Sequence, residues 1–335
     1  MKRVVFLNDL KESDIRPESI YNEYKKLLSK DIGKYFSDRS MLKEIVCPGC
    51  SDENSDMAFN KMGFSYRSCK KCSSLFVSPR PDDEALRNFY RNSSAGLFLR
   101  KTFLKDTLDS RSQKVFSYRV QWIVGLIEEY MPSAEVVLDY WTRYPTFLKQ
   151  LDDVGLLRSI ISFMPECYEQ EGLLPKNVNV SIDDGIVEDS VDIFVVFEVV
   201  ERISDPEKIF VTARKACRKD GLFIMTSTTS SGFEYQVLGE NSPNVIPPDR
   251  INLLSLEALR SRIEKAGFEI IEISTPGRLD VEMVKKAYEK NPDIPLDPFW
   301  KYLFRHRDEN AVHALQEYLQ QFQLSSHVRI AAIRK

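Results

Sequence analysis

The chain has 335 residues, 43% of them hydrophobic and 29% charged, with a formal net charge of −3. That is the composition of a globular protein with a sizeable core and about two domains, and its slight acidic balance argues against a nucleic-acid or anionic-membrane partner. No apolar run approaches the roughly 20 residues of a bilayer span, and "MKRVVFLNDLKESDIRPES" breaks into charge too early for a signal peptide, so the cytoplasm is the expected compartment.

Residues 17–36 carry apolar side chains at helical spacing (Ile20, Tyr24, Leu27, Leu28, Ile32, Phe36), which predicts a helix. Next come "CPGC" (Cys47, Cys50) and "CKKC" (Cys69, Cys72), separated by 18 residues. The spacing C-x2-C-x18-C-x2-C is that of a structural zinc site. Each C-x2-C turn aims two thiolates at one ion, and four close a tetrahedral shell with no open position for chemistry. The alternative, two disulfides or four separate thiols, is disfavoured in a cytoplasmic chain. "FSYRSCKKCSSLFVSPRP" alternates like a strand entering and leaving the second knuckle, as in a zinc ribbon. Cys167 and Cys217 sit in apolar or helical surroundings and read as buried, inert thiols. "DDEALRNFY" opens a helix on acids, and residues 95–130 read as helical throughout.

From about residue 134 strands and helices alternate, the grammar of a parallel sheet. Strands are predicted at Val136–Tyr140, Ser159–Phe163, Val178–Ile182, Val191–Val199, Gly221–Thr228, Phe268–Ser274 and His327–Arg334, with helices between, at 205–218 and 255–266 among others. "DIFVVFEVV" is apolar as a strand covered on both faces should be. The chain divides into an N-terminal helical segment (1–45), a zinc ribbon (46–80), a helical connector (81–130) and a Rossmann-like domain (131–335) with a helical insert at 278–325.

The ribbon segment, "VVFEVVERISDPEKIFVTARKACRKDGLFIMTST" and "NVIPPDRINLLSLEALRSRIEKAGFEIIEISTPGRLDVE" together resemble the class I S-adenosylmethionine-dependent methyltransferases, and within them bacterial members with an N-terminal zinc ribbon. The resemblance covers nearly the whole chain. It implies an α/β fold, a seven-stranded Rossmann-like sheet with the last strand antiparallel, and S-adenosylmethionine as cofactor.

The family's first strand ends in an acid and enters a turn of the form D-x-G-x-G-x-G, whose glycines admit positive φ and let the backbone approach the cofactor. Aligning "DYWTRYPTF" to it keeps Asp139 and puts Trp141, Arg143 and Pro145 on the glycine positions. A non-glycine at positive φ costs about 1–2 kcal/mol and proline cannot adopt it, so a turn of another shape is expected, with Trp141 and Arg143 in or over the cleft. The position of the ribose-binding acid falls at about Met164, with Glu166 as a possible substitute, and Asp183 and Asp184 stand where the family often has an acid near the adenine. Two positions where relatives usually carry histidine read Arg202 (after Glu201) and Arg250. Arginine stays protonated and does not act as a base, which fits lost proton chemistry or recognition of an anion. Arg143, Arg202 and Arg250 are expected around one cleft, balanced by Asp139, Asp183, Asp184 and Glu201 or by an anionic, sugar-like ligand. His306, His313 and His327 have no acid or nucleophile partner in sequence and read as structural.

Two functional readings follow. One is a methyltransferase-like protein degenerate in its cofactor site, a pseudoenzyme serving as a protein partner or as the binder of a small-molecule or anionic sugar-like ligand. The other is an active methyltransferase on such an acceptor with an atypical cofactor turn.

Overall fold

The computed structural model describes residues 10–141, 143–163, 174–175, 177–181 and 185–335. A four-stranded antiparallel sheet contains β1 (Ser55–Lys61), β2 (Phe64–Cys69) and β3 (Leu75–Val77). A seven-stranded sheet contains β4 (Val136–Tyr140), β5 (Ser159–Phe163), β6 (Val178–Ser181), β7 (Val191–Phe197), β8 (Cys217–Thr228), β10 (Phe268–Ser274) and β11 (His327–Arg334), in the order β10-β11-β8-β7-β4-β5-β6. Strands β4 to β8 run parallel, and β11 lies antiparallel between β8 and β10. This is the sheet that the resemblance implies.

The chain runs outward from β4 to β6 and then returns to β7 beside β4. That reversal leaves a crevice at the carboxyl ends of β4 and β7, where open α/β sheets bind ligands. The sheet is buried on both faces. Ile193 and Val195 of β7 pack with the helices Ser117–Tyr130 and Pro145–Asp152, while Phe194 and Val196 pack with Glu207–Ala216 and Leu256–Lys265. The strictly alternating split of one apolar run follows from the two-residue period of a strand.

Three features differ from expectation. The fourth strand of the ribbon sheet is β9 (Asn252–Leu253), which comes from the loop after β8 and pairs with β3. Residues 95–130 are helical but interrupted by wide π-helical turns at Leu99–Phe103 and Ser112–Phe116. The backbone after β4 also keeps a left-handed residue, because Trp141 has φ +68°. The steric expense at the first glycine position is therefore borne rather than avoided, and Pro145 takes the first-turn position of the next helix, where a missing N–H does no harm.

Candidate functional site

Both cysteine turns have the same local form. Ser51 follows Cys50 and Ser73 follows Cys72, each with φ near +60°, and each returns its N–H to the first cysteine of its pair, Cys47 at 2.8 Å and Cys69 at 3.0 Å. The turns face each other. Cys47 Sγ lies 3.5 Å from Cys72 Sγ, Cys50 Sγ lies 3.5 Å from Cys69 Sγ, and all four sulfurs fall within 4.8 Å of one another. Four sulfurs placed about 2.3 Å from a tetrahedral ion would span much the same distances, so the cluster could hold a metal. Contact with Cys72, then burial, pushes the Cys47 thiol up, while the hydrogen bond from Cys47 draws Cys72 down to about 4. Four thiolates this close need a cation to ionise together.

At the carboxyl end of β4, Asp139 is buried and accepts a hydrogen bond from Ser162 of β5 at 2.9 Å. Trp141 N–H donates to the Phe163 carbonyl at 2.8 Å, and its ring stacks on Tyr140 at 5.8 Å, packed against the core. Arg143 donates to Asp249 at 2.8 Å and lies over the Tyr90 ring at 5.4 Å. Arg202, which follows β7, donates to the same carboxylate at 3.2 Å, as does the Tyr90 hydroxyl at 3.2 Å. Burial alone would raise the Asp249 pKa, but Arg202, Arg143 and Arg250 together hold it far below the ordinary carboxylate value. A cavity of about 50 Å³ remains, lined by Trp141, Arg143, Tyr144, Phe197 and Glu198 among others.

Of the expected balancing acids, Glu201 acts on both Arg202 and Arg250. Asp139 is engaged with Ser162, and Glu201 is buried and accepts the Thr228 N–H at 2.6 Å. Asp249 and Glu198, which were not expected, join Glu201 in the balancing. Asp249 stands beside Arg250 in "PPDRIN", so the signal in sequence was an acid adjacent to the arginine singled out there. Met164, Asp183 and Asp184, with Glu166 and Cys167, lie outside the described residues. Cys217 is buried, and burial pushes its thiol up.

Arg250 acts on Asp249 through space but lines a different cavity from Arg143 and Arg202. It faces a second cavity, of about 110 Å³, under the N-terminal segment and the insert. Its guanidinium donates to Thr228 Oγ1 at 2.8 Å and Asn244 Oδ1 at 2.9 Å. Glu198 and Arg119 line both cavities, and their ion pair at 2.5 Å stands between them. Glu198 also has a left-handed backbone, φ +57°, a strained state that tends to gather at functional sites. His327 opens β11 opposite Thr228 and lines the second cavity. Burial, against the pull of Glu198, drives its pKa down to about 3, so the imidazole is neutral. Sequence reading treated His327 as structural. The antiparallel direction of β11 is what brings the residue to this edge, and it was legible only together with the register.

No helix among the described residues is long and apolar enough to cross a membrane. The family model described as "Methyltransferase domain" matches residues 118–273. No curated protein matches the chain. Among solved structures, the chain is similar to geranyl diphosphate C-methyltransferase from Streptomyces coelicolor, with 12% identity over 70% of this chain and 86% of that one and a TM-score of 0.44. It is also similar to an S-adenosylmethionine-dependent methyltransferase from Mesorhizobium loti, with 10% identity over 65% of this chain and 100% of that one and a TM-score of 0.39. The family match at residues 118–273 therefore covers a little under half of the chain.

Proposed function

We propose that this chain uses the methyltransferase fold as a ligand-binding or regulatory scaffold and does not hold S-adenosylmethionine in the family manner. The observation that carries the reading is the Arg143–Asp249–Arg202 cluster, which ties the turn after β4 to the loop before β9 across the crevice. With Trp141 on the position of the family's first glycine, the residues at this crevice do not fit a cofactor laid over the turn. The Arg119–Glu198 pair also separates the crevice from the second cavity, whereas methyl transfer needs donor and acceptor in one continuous space. The four cysteines hold one structural zinc in this reading.

A second reading, an active methyltransferase with an atypical turn, is favoured by one pair of features. Asp139 still ends β4, and the residue at the first glycine position still has positive φ. Calorimetric titration with S-adenosylmethionine separates the two. We expect no binding tighter than about 1 mM, near −4 kcal/mol. Micromolar binding would overturn the scaffold reading in favour of the enzyme.

A further inference from the structure

The charged residues lining the second cavity are mainly cations, of which Lys114 pairs with Asp14, Arg16 with Glu12 and Arg119 with Glu198. Seven of its twenty lining residues are Arg or Lys and two are acids. Both acids are already engaged: Glu198 pairs with Arg119, and Asp280 accepts from Ser325 and from both the N–H and the hydroxyl of Ser326. Two of the cations are themselves deeply buried, Arg250 at 7% exposure and Arg329 at 3%. Arg250 has only neutral oxygens as hydrogen-bond partners. Arg329 lies over the Trp122 ring at 5.2 Å, and its Nε has no hydrogen-bond partner. Among the described residues no carboxylate pairs with either guanidinium. Glu201 and Glu198 offset Arg250, and Glu272 offsets Arg329, only through space, and a buried charge without a directly paired counter-charge is unfavourable.

The remaining walls say what kind of anion fits. Two buried guanidiniums that Glu201, Glu198 and Glu272 attract only through space favour a doubly charged anion over a singly charged one. A phosphomonoester carries about −1.5 to −2 at neutral pH, and a carboxylate carries only one. Guanidinium forks match phosphate oxygens in paired hydrogen bonds. Leu10, Ile15, Val115 and Met283 add apolar surface to the lining, which suits the neutral body of a small molecule.

We infer that the cavity between the N-terminal segment, β11 and the insert is a binding site for a phosphorylated small molecule, gripped by Arg250 and Arg329. This deepens the scaffold reading by naming its ligand class, and it rests on that reading only in assigning ligand binding to this fold. S-adenosylmethionine does not enter its test, so either can fail alone.

The test is a set of thermal melts of the full chain in inorganic phosphate and in acetate, at matched pH and ionic strength. Phosphate should raise the melting temperature of the wild type by several degrees and acetate should not. Arg329→Gln should melt no lower than wild type in acetate, because it removes a buried charge that has no directly paired carboxylate, and it should lose the phosphate response. Titration calorimetry should show phosphate affinity at least tenfold weaker in Arg329→Gln and in Arg250→Gln. The exposed Arg158→Gln should bind as wild type does. Absence of a phosphate-specific shift in the wild type overturns the inference, and so does a response unchanged in both cavity variants. Failure of Arg329→Gln to fold overturns it too, since that would make the guanidinium a stabilising internal group.

Discussion

Asp249 gathers donors from three parts of the chain, Tyr90, Arg143 and Arg202. Removing the acid leaves two guanidiniums facing each other in a crevice where each is only 13% exposed. Breaking a buried pair by deleting one partner typically costs about 3–5 kcal/mol. We therefore expect Asp249→Asn to lower unfolding stability by about 3 kcal/mol in urea titrations at pH 7. The pH dependence has a definite sign. The folded pKa of Asp249 is depressed, so its contribution is fully present above the unfolded value of about 3.9 and is lost as pH falls through the folded one. The wild type should therefore lose its advantage over Asp249→Asn on acidification below about pH 4. A gap that stays constant from pH 7 to pH 2 would show that the carboxylate charge is not what stabilises the crevice. None of this was legible locally. Asp249 is over a hundred positions from Arg143, and only the fold brings them together.

The elements were far easier to read than the contacts between them. The strand Val136–Tyr140 and the helix opened by Pro145 follow from an apolar run, an acid and a helix-permitting proline. The cysteine cluster follows from spacing, because two short turns each present a pair of sulfurs whatever surrounds them. The two-residue β9 carries no pattern of its own and exists only because β3 offers it an edge. The turn at Trp141 falls between these cases. Its residues are plain in the sequence, but its backbone is not, since the stacking of Trp141 on Tyr140 and its N–H bond to Phe163 sustain a φ that local sterics disfavour. We expect Trp141→Gly to relieve the strain yet leave the crevice closed, because the Arg143–Asp249 pair is untouched. S-adenosylmethionine titration of this variant should remain as weak as that of wild type. If the single change produced micromolar binding, the ring and not the ion pair would be the barrier.

At the scale of the molecule, the ribbon is built into the fold and does not hang from it. One apolar cluster combines Phe64, Tyr66, Leu75 and Val77 of the ribbon with Leu28 and Phe89 of the helices and with Val245, Ile246, Ile251 and Leu253 of the larger domain. The polar contacts agree. Buried Arg80 donates to the Ser204 carbonyl at 3.0 Å and to Asn252 at 2.8 Å. Arg262 donates to the Gly49 carbonyl at 3.0 Å, and a Cβ on Gly49 would lie 2.9 Å from that of Ala258, so the first knuckle sits hard against the helix Leu256–Lys265. A division at residue 80 describes the sequence, but the packing crosses it everywhere. Structural zinc contributes about 10–16 kcal/mol to folding in small zinc domains, while whole domains are stable by only about 5–15 kcal/mol. Even a part of the zinc term is thus comparable to the entire margin. Metal analysis should give about one zinc per chain. Chelation, or Cys69→Ser, should then do more than loosen residues 46–80. It should lower the melting temperature of the sheet domain as well, with near- and far-ultraviolet circular dichroism changing in one shared transition. Two separated transitions, with the larger one unmoved by chelator, would mean that the ribbon folds and fails on its own.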